Sequence, residues 1–293
     1  MTILSIKQVY WRLIKHWENW RFLFYLQRLK IRNVISKKCL TAPSGSVVSL
    51  TTYGVRANSV YLTLESISLG ITLPIRIILW LDDLSILSNL PASLRRLQRR
   101  GLEIRHCENF GPHKKYYPYI EAELSFEKPL VTADDDVIYP HDWLHKLLCA
   151  FEEDSSNIIC YRAREVLLSS ERLEPYINWP YCKSTLPSFR FFATGVSGVI
   201  YPPRFQQYLK AANRDFLNVC PKADDLWLHV NALRSGYKIR QLTTEAQEFH
   251  TIPGSQAQAL CQSNQFDGEN DQQILRTYND ADIMFLAQQE KPS

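Results

Sequence analysis

The sequence holds no C-x-x-C pair. Its seven cysteines, at 39, 107, 149, 160, 182, 220 and 261, are scattered and odd in number. That speaks against a disulfide framework and against a cysteine zinc site, and it fits a reducing cytoplasm. Long apolar runs are missing too. No uninterrupted stretch reaches the about 20 residues that a bilayer-spanning helix takes. The first residues lack the small-residue cleavage pattern of a secretory signal, so a cytoplasmic chain is expected. There is no internal repeat and no low-complexity tract. Net charge is only +4, too mild to imply nucleic acid, and no nucleic-acid partner is expected. The 293 residues, 45% hydrophobic and 22% charged, have the composition of an ordinary globular protein with room for one large α/β domain.

Acidic residues are nearly absent from the first forty positions. Lys7, Arg12, Lys15, Arg21, Arg28, Lys30, Arg32, Lys37 and Lys38 stand against one acid, Glu18. Trp11, Trp17, Trp20, Phe22, Phe24 and Leu26 are interleaved with them. Such a mixture suits a helix lying in the headgroup plane of an anionic membrane. The plainer alternative is a helix packed on the core with a solvated basic face. "TAPSGS" (41–46) reads as a linker. The expected organisation is a membrane-associating segment over 1–45 and a main domain over 46–293. The expected location is cytoplasmic, peripheral on the inner-membrane surface.

After the linker, strand and helix patterns alternate. "VVSLTT" (47–52) reads as a buried strand and "SVYLTLESISL" (59–69) as a helix. "IRIILWL" (75–81) is a second strand. "PASLRRLQRRG" (91–101) is a helix with proline near its start and glycine past its end. "LEIRHC" (102–107) and "PLVTA" (129–133) are further strands, and "PHDWLHKLLCAF" (140–151) a further helix. This order predicts an α/β fold with a Rossmann-like, mostly parallel central sheet and helices on both faces. From residue 153 the pattern loosens. That half is expected to pack on the same sheet and shape a second binding surface. Within it, a helix follows "KADD" and a strand is read in "YKIRQL".

In parallel sheets, ligands bind beyond the carboxyl ends of the strands. One such end, "VTADDDVIYP", carries Asp134, Asp135 and Asp136 in a row. Three adjacent carboxylates repel one another, and a hard divalent cation, Mn²⁺ or Mg²⁺, would remove that repulsion. In an extended chain Asp134 and Asp136 share a face, leaving Asp135 for a ribose or a basic side chain. Capping of the next helix is the competing explanation, but a cap needs one aspartate and these lie several residues too early.

The ordered set "VVSLTTYGVR", "LPIRIILWLDD", "KKYYP", "VTADDDVIYPHDWL", "FFATGVSGVIYPP" and "KADDLWL" resembles the GT-A fold glycosyltransferases. More narrowly, it resembles a group of bacterial enzymes of surface polysaccharide (O-antigen, lipopolysaccharide or capsule) synthesis. The resemblance runs over roughly 46–285. It implies a metal-dependent enzyme moving a sugar from a nucleotide-sugar donor, with UDP as the nucleotide, to a saccharide or lipid-linked acceptor. By the same resemblance Thr51, Tyr53 and Arg56 hold the base and ribose, and Asp82 and Asp83 contact the base. Lys114 or Lys115 binds ribose or diphosphate. Asp134 and Asp136 match the D-x-D motif that holds the metal, and His250 is a candidate third ligand. The glycines at 195 and 198 permit a close backbone approach to a sugar, or a tight turn. Asp225, then Asp224, matches the base that deprotonates the acceptor in inverting members. A helix cap is the alternative for this pair.

Three other readings stay open at this stage. "HDWLH" spaces His141 and His145 as in zinc proteases, without an obvious third ligand. A nucleotidyltransferase would share the sheet and metal but would make a nucleotide sugar. "LTTYGVR" is a poor version of the glycine-rich, basic loop that such enzymes place after the first strand. A non-catalytic, membrane-docked sugar-binding protein would have no need to keep Asp134, Asp136 and Asp225 around one cleft.

Overall fold

A computed structural model describes residues 3–170, 172–255 and 269–290, with backbone only for 3–13 and 15. Cys261 and the side chains of Lys7, Trp11, Arg12 and Lys15 lie outside the described residues. The six described cysteines are free thiols.

The chain opens with a long helix, α1 (Ile3–Ile35). Strand β1 (Val47–Thr51), helix α2 (Val60–Ile67), and strands β2 (Arg76–Leu81), β3 (Leu102–His106) and β4 (Leu130–Thr132) fall where the sequence patterns place them. The second half adds β5 (Asn157–Cys160), a small ribbon of β6 (Ala163–Glu165), and a hairpin of β7 (Leu168–Ser169) and β8 (Arg172–Leu173). Strands β9 (Phe191–Ala193), β10 (Val199–Tyr201) and β11 (Lys238–Gln241) follow. Seven strands form the central sheet in the order β11-β5-β10-β4-β1-β2-β3. All neighbours run parallel except β10, which is antiparallel to β4 and to β5. The second half therefore does join the same sheet. β5 and β10 escape sequence reading because runs of three or four residues are too short to show a period.

Alternation along the strands sorts the core into two layers. Val47, Ile78, Trp80, Leu130, Ile158, Val199 and Ile239 point to one face. Val48, Leu50, Ile77, Leu79, Val131, Ile159 and Ile200 point to the other. The first layer is covered by Tyr119 and Ile120, Phe205 and Leu209, and Trp227 and Val230, from three helices. The second is covered by Val60 and Leu64 of α2, by Leu94 and Leu97, and by Trp143 and Leu147. Both faces are buried, which is why the strands read as near-continuous apolar runs.

The second half of α1 is bound into this unit. Leu26 and Leu29 pack with Leu62, Ile138 and Ile252. Beneath them lies the fully buried Glu65 of α2. Its carboxylate accepts from Arg32 Nε at 3.0 Å, from Asn33 Nδ2 at 3.2 Å and from Arg100 Nη2 at 3.2 Å. A charge so buried is tolerable only because every lone pair finds a donor. Residues 22–40 thus share a core with the residues that follow the expected linker.

Candidate active site

The carboxyl ends of β1, β2 and β4 lie side by side, since these strands are parallel neighbours in register. Thr51, Thr52, Tyr53 and Arg56, Asp82 and Asp83, and the aspartate triplet therefore lie at the same end of the sheet. β4 ends at Thr132, and the chain bends at Asp135 and Asp136. The bend changes the pairing that simple strand alternation predicts. Asp135 Oδ1 accepts from Arg56 Nη1 at 2.8 Å, and its Oδ2 from Thr52 Oγ1 at 2.6 Å. Asp136 Oδ2 lies 3.3 Å from Arg56 Nη2, so these two carboxylates share one guanidinium. Burial raises the pKa of both, and Arg56 opposes that rise. Asp134 turns elsewhere, to Lys115 Nζ at 2.7 Å, and its backbone N–H donates to the buried Tyr139 hydroxyl at 2.8 Å.

Lys115 joins the triplet to the second half of the chain. Its ammonium lies 2.7 Å from Asp134 Oδ1 and 3.8 Å from Asp224 Oδ2. Burial alone would lower its pKa, but Asp134, Asp224 and Asp225 together hold it well above the ordinary value. Lys114 diverges from it and pairs with Asp82 at 2.7 Å. Asp83 caps the short helix Leu84–Ser88, accepting from Ser85 N at 2.8 Å. Thr51 Oγ1 donates to Trp80 O at 3.1 Å, and Arg56 lies over the Tyr53 ring.

Asp224 and Asp225 open the helix Asp224–Arg234, but neither caps it. The cap position is Ala223, which makes no side-chain cap hydrogen bond. Asp225 Oδ1 instead accepts from Gly195 N at 2.9 Å. A Cβ on Gly195 would stand 3.1 Å from both Asp225 Oδ1 and Lys115 Nζ. The bare backbone there leaves room for the carboxylate and the ammonium, which a Cβ would crowd by a few tenths of an ångström. Asp224 Oδ2 is buried and accepts no hydrogen bond among the described residues. Burial first, then the neighbouring Asp224, pushes Asp225 up to about 7, while Lys115 and the Gly195 N–H pull the other way. A carboxyl poised near neutrality is suited to taking a proton.

No family model matches the sequence, and no curated protein matches it. Solved structures do resemble it at low identity. S. aureus TarS (residues 1–349) is 13% identical over 83% of this chain and 70% of that one, with a TM-score of 0.47. GalNAc-T7, solved with UDP, GalNAc and Mn²⁺, is 11% identical over 73% of this chain and 45% of its own, with a TM-score of 0.49. CMP:2-keto-3-deoxy-manno-octonic acid synthetase, complexed with CTP, is 12% identical over 78% and 100%, with a TM-score of 0.43. The likeness is one of α/β outline.

The structure thus brings together Arg56, Lys115, Asp134, Asp135, Asp136, Gly195, Asp224 and Asp225. It places His250 differently. Its ring packs on Phe22 of α1 with centroids 4.6 Å apart, while its backbone carbonyl accepts from Ile138 N at 2.8 Å. No group of three or more histidine, cysteine or acidic side chains able to hold a metal occurs among the described residues. That also leaves "HDWLH" without a zinc set; His145 Nδ1 lies 3.2 Å from Thr72 Oγ1. Mg²⁺ and Mn²⁺ need no such cage. They are commonly bound by one or two carboxylates, the rest being water and phosphate oxygens. Asp134 and Asp136 fit that description in donor type and number. Sequence reading missed Tyr139, whose hydroxyl fixes the Asp134 backbone. Its only signal was a tyrosine placed five residues after the first aspartate.

Proposed function

We propose that the chain is a metal-dependent GT-A glycosyltransferase. It takes a sugar from a nucleotide diphosphate donor, UDP in the first instance, and passes it to a saccharide or lipid-linked acceptor of bacterial surface polysaccharide. The observation that carries this reading is the meeting of Asp134, Lys115, Asp224, Asp225 and Gly195 within hydrogen-bond or ion-pair reach. It puts a carboxylate raised toward neutrality beside the loop that would face a diphosphate.

Asp134 and Asp136 would hold the metal, which, when bound, stabilises negative charge on a departing diphosphate. The remaining roles belong to the chain itself. Thr52, Arg56 and Tyr53 border the end of β1, where base and ribose would lie. Lys115 offers its ammonium to diphosphate oxygens and, when unoccupied by them, compensates Asp134. Asp225, held by Gly195 N–H, takes the acceptor proton. Asp224 raises the proton affinity of Asp225 by like charge. A base at this place deprotonates the acceptor for attack from behind the sugar carbon, giving inversion.

Release of nucleotide diphosphate, followed with a panel of nucleotide sugars and acceptors plus Mn²⁺, tests this reading. Acceptor-dependent release supports it. Pyrophosphate formation from a nucleoside triphosphate and a sugar phosphate would instead mark a nucleotidyltransferase, the activity open to the same sheet. Binding of sugar with neither reaction would mark a non-catalytic sugar-binding protein.

A further inference from the structure

Over its described side chains, 14 and 16–35, helix α1 has two apolar faces, of which one is covered. The inner face, Phe22, Tyr25, Leu26 and Leu29, packs against α2, Ile138 and Ile252. On the opposite side Trp17 is 66% exposed, Trp20 63%, Phe24 69% and Ile35 70%. Ile31 and Val34 are exposed on the same side. At 3.6 residues per turn, Trp17, Trp20, Phe24 and Ile31 form one stripe along the helix. Arg21 and Arg28 are exposed along its edge, and Lys30 near it.

Spacings of three and four also fit a helix pairing with a second copy. The flanks argue against that occupant. The residues bordering the stripe are His16, Leu23 and Lys30 on one side and Arg21, Arg28 and Ile35 on the other. Parallel or antiparallel pairing would set basic side chains against basic ones, with Glu18 the one acid in the first forty residues. An anionic surface is what this charge complements. No helix among the described residues is long and apolar enough to cross a membrane, so a bilayer would meet this stripe along its surface.

We infer that the outer stripe of α1 docks on an anionic lipid bilayer. Tryptophans and Phe24 sit at the headgroup–acyl boundary, and Arg21 and Arg28 lie against lipid phosphates. The covered face of the same helix packs on Ile138, and Ile252 N donates to Asp136 O at 2.7 Å. Docking therefore sets the aspartate loop one helix diameter, roughly 10 Å, from the membrane. The inference does not depend on the activity proposed above.

Flotation of the full chain with vesicles tests it, using phosphatidylcholine alone and phosphatidylcholine with phosphatidylglycerol. The protein is expected to float with the mixed vesicles and poorly with the neutral ones. Arg21→Gln with Arg28→Gln is expected to weaken partitioning about 30-fold, from about 1 kcal/mol for each basic side chain at the surface. Trp17→Ala, Trp20→Ala and Phe24→Ala together are expected to abolish flotation while leaving the melting temperature unchanged, since these side chains point away from the core. Undiminished flotation of the triple variant would overturn the inference, as would equal flotation on neutral vesicles. A solution dimer that the triple variant converts to monomer would overturn it in favour of helix pairing.

Discussion

Replacing Asp225 by asparagine separates chemistry from architecture. Asparagine keeps an oxygen for the Gly195 N–H, now 2.9 Å from Asp225 Oδ1, and removes only the charge and its basicity. If Asp225 is the base, turnover should fall roughly 10²–10⁴-fold, or about 3–5 kcal/mol of barrier. The wild-type rate should rise with pH through about 7, where Asp225 loses its proton, and then level off. Stability should move the other way. The folded pKa of about 7 lies above the ordinary 3.8, so between these values the unfolded chain binds fewer protons. The stability that Asp225 contributes is therefore fully present below about 4 and is lost as pH rises through about 7. The asparagine variant lacks that loss and should gain on the wild type across this window, by a few kcal/mol at most. The assays are nucleotide diphosphate release and urea denaturation, each from acid to neutral pH. Full turnover by both Asp225→Asn and Asp224→Asn would refute the reasoning. Loss confined to Asp224→Asn would move the base one residue earlier.

Three further outcomes are expected. UDP binding measured calorimetrically should require Mn²⁺ or Mg²⁺ and should fail in Asp134→Ala and Asp136→Ala; unchanged affinity in EDTA would remove the metal role. Glu65→Gln should cost roughly 3–5 kcal/mol in urea denaturation, because it strands Arg32 and Arg100 beneath α1; a loss below the effect of a surface change would count against the buried network. Gly198→Ala should cost roughly 1–3 kcal/mol. It has φ +104°, and its Cβ would stand 2.8 Å from the Trp143 ring. Wild-type stability in that variant would show that the turn can relax.

Much of this protein was legible without a structure. Strands β1 to β4, β11, α2, the helices Ala92–Gln98, Trp143–Glu153 and Asp224–Arg234, and the aspartate triplet follow from local periodicity and composition; the helices Tyr117–Ala122 and Pro203–Ala212, which cover one face of the sheet, do not. Each such signal lies within a dozen neighbouring residues, where backbone geometry sets which side chains share a face. The neutralising partners lie elsewhere. Arg56 reaches Asp135 across 79 positions, and Gly195 meets Asp225 across 30. These meetings depend on which strands become neighbours, and above all on the antiparallel β10 lying between β4 and β5. Sequence pattern also marked α1 as basic and aromatic without saying which aromatic residues face the core. Only packing against Leu62, Ile138 and Ile252 decided that Leu26 and Leu29 turn inward and leave Trp17, Trp20 and Phe24 outside. The physical reason is common to both cases. Secondary structure is set by short-range sterics and periodicity, whereas the environment of a charge or an exposed ring is set by residues distant in sequence, brought near only when the sheet closes its order.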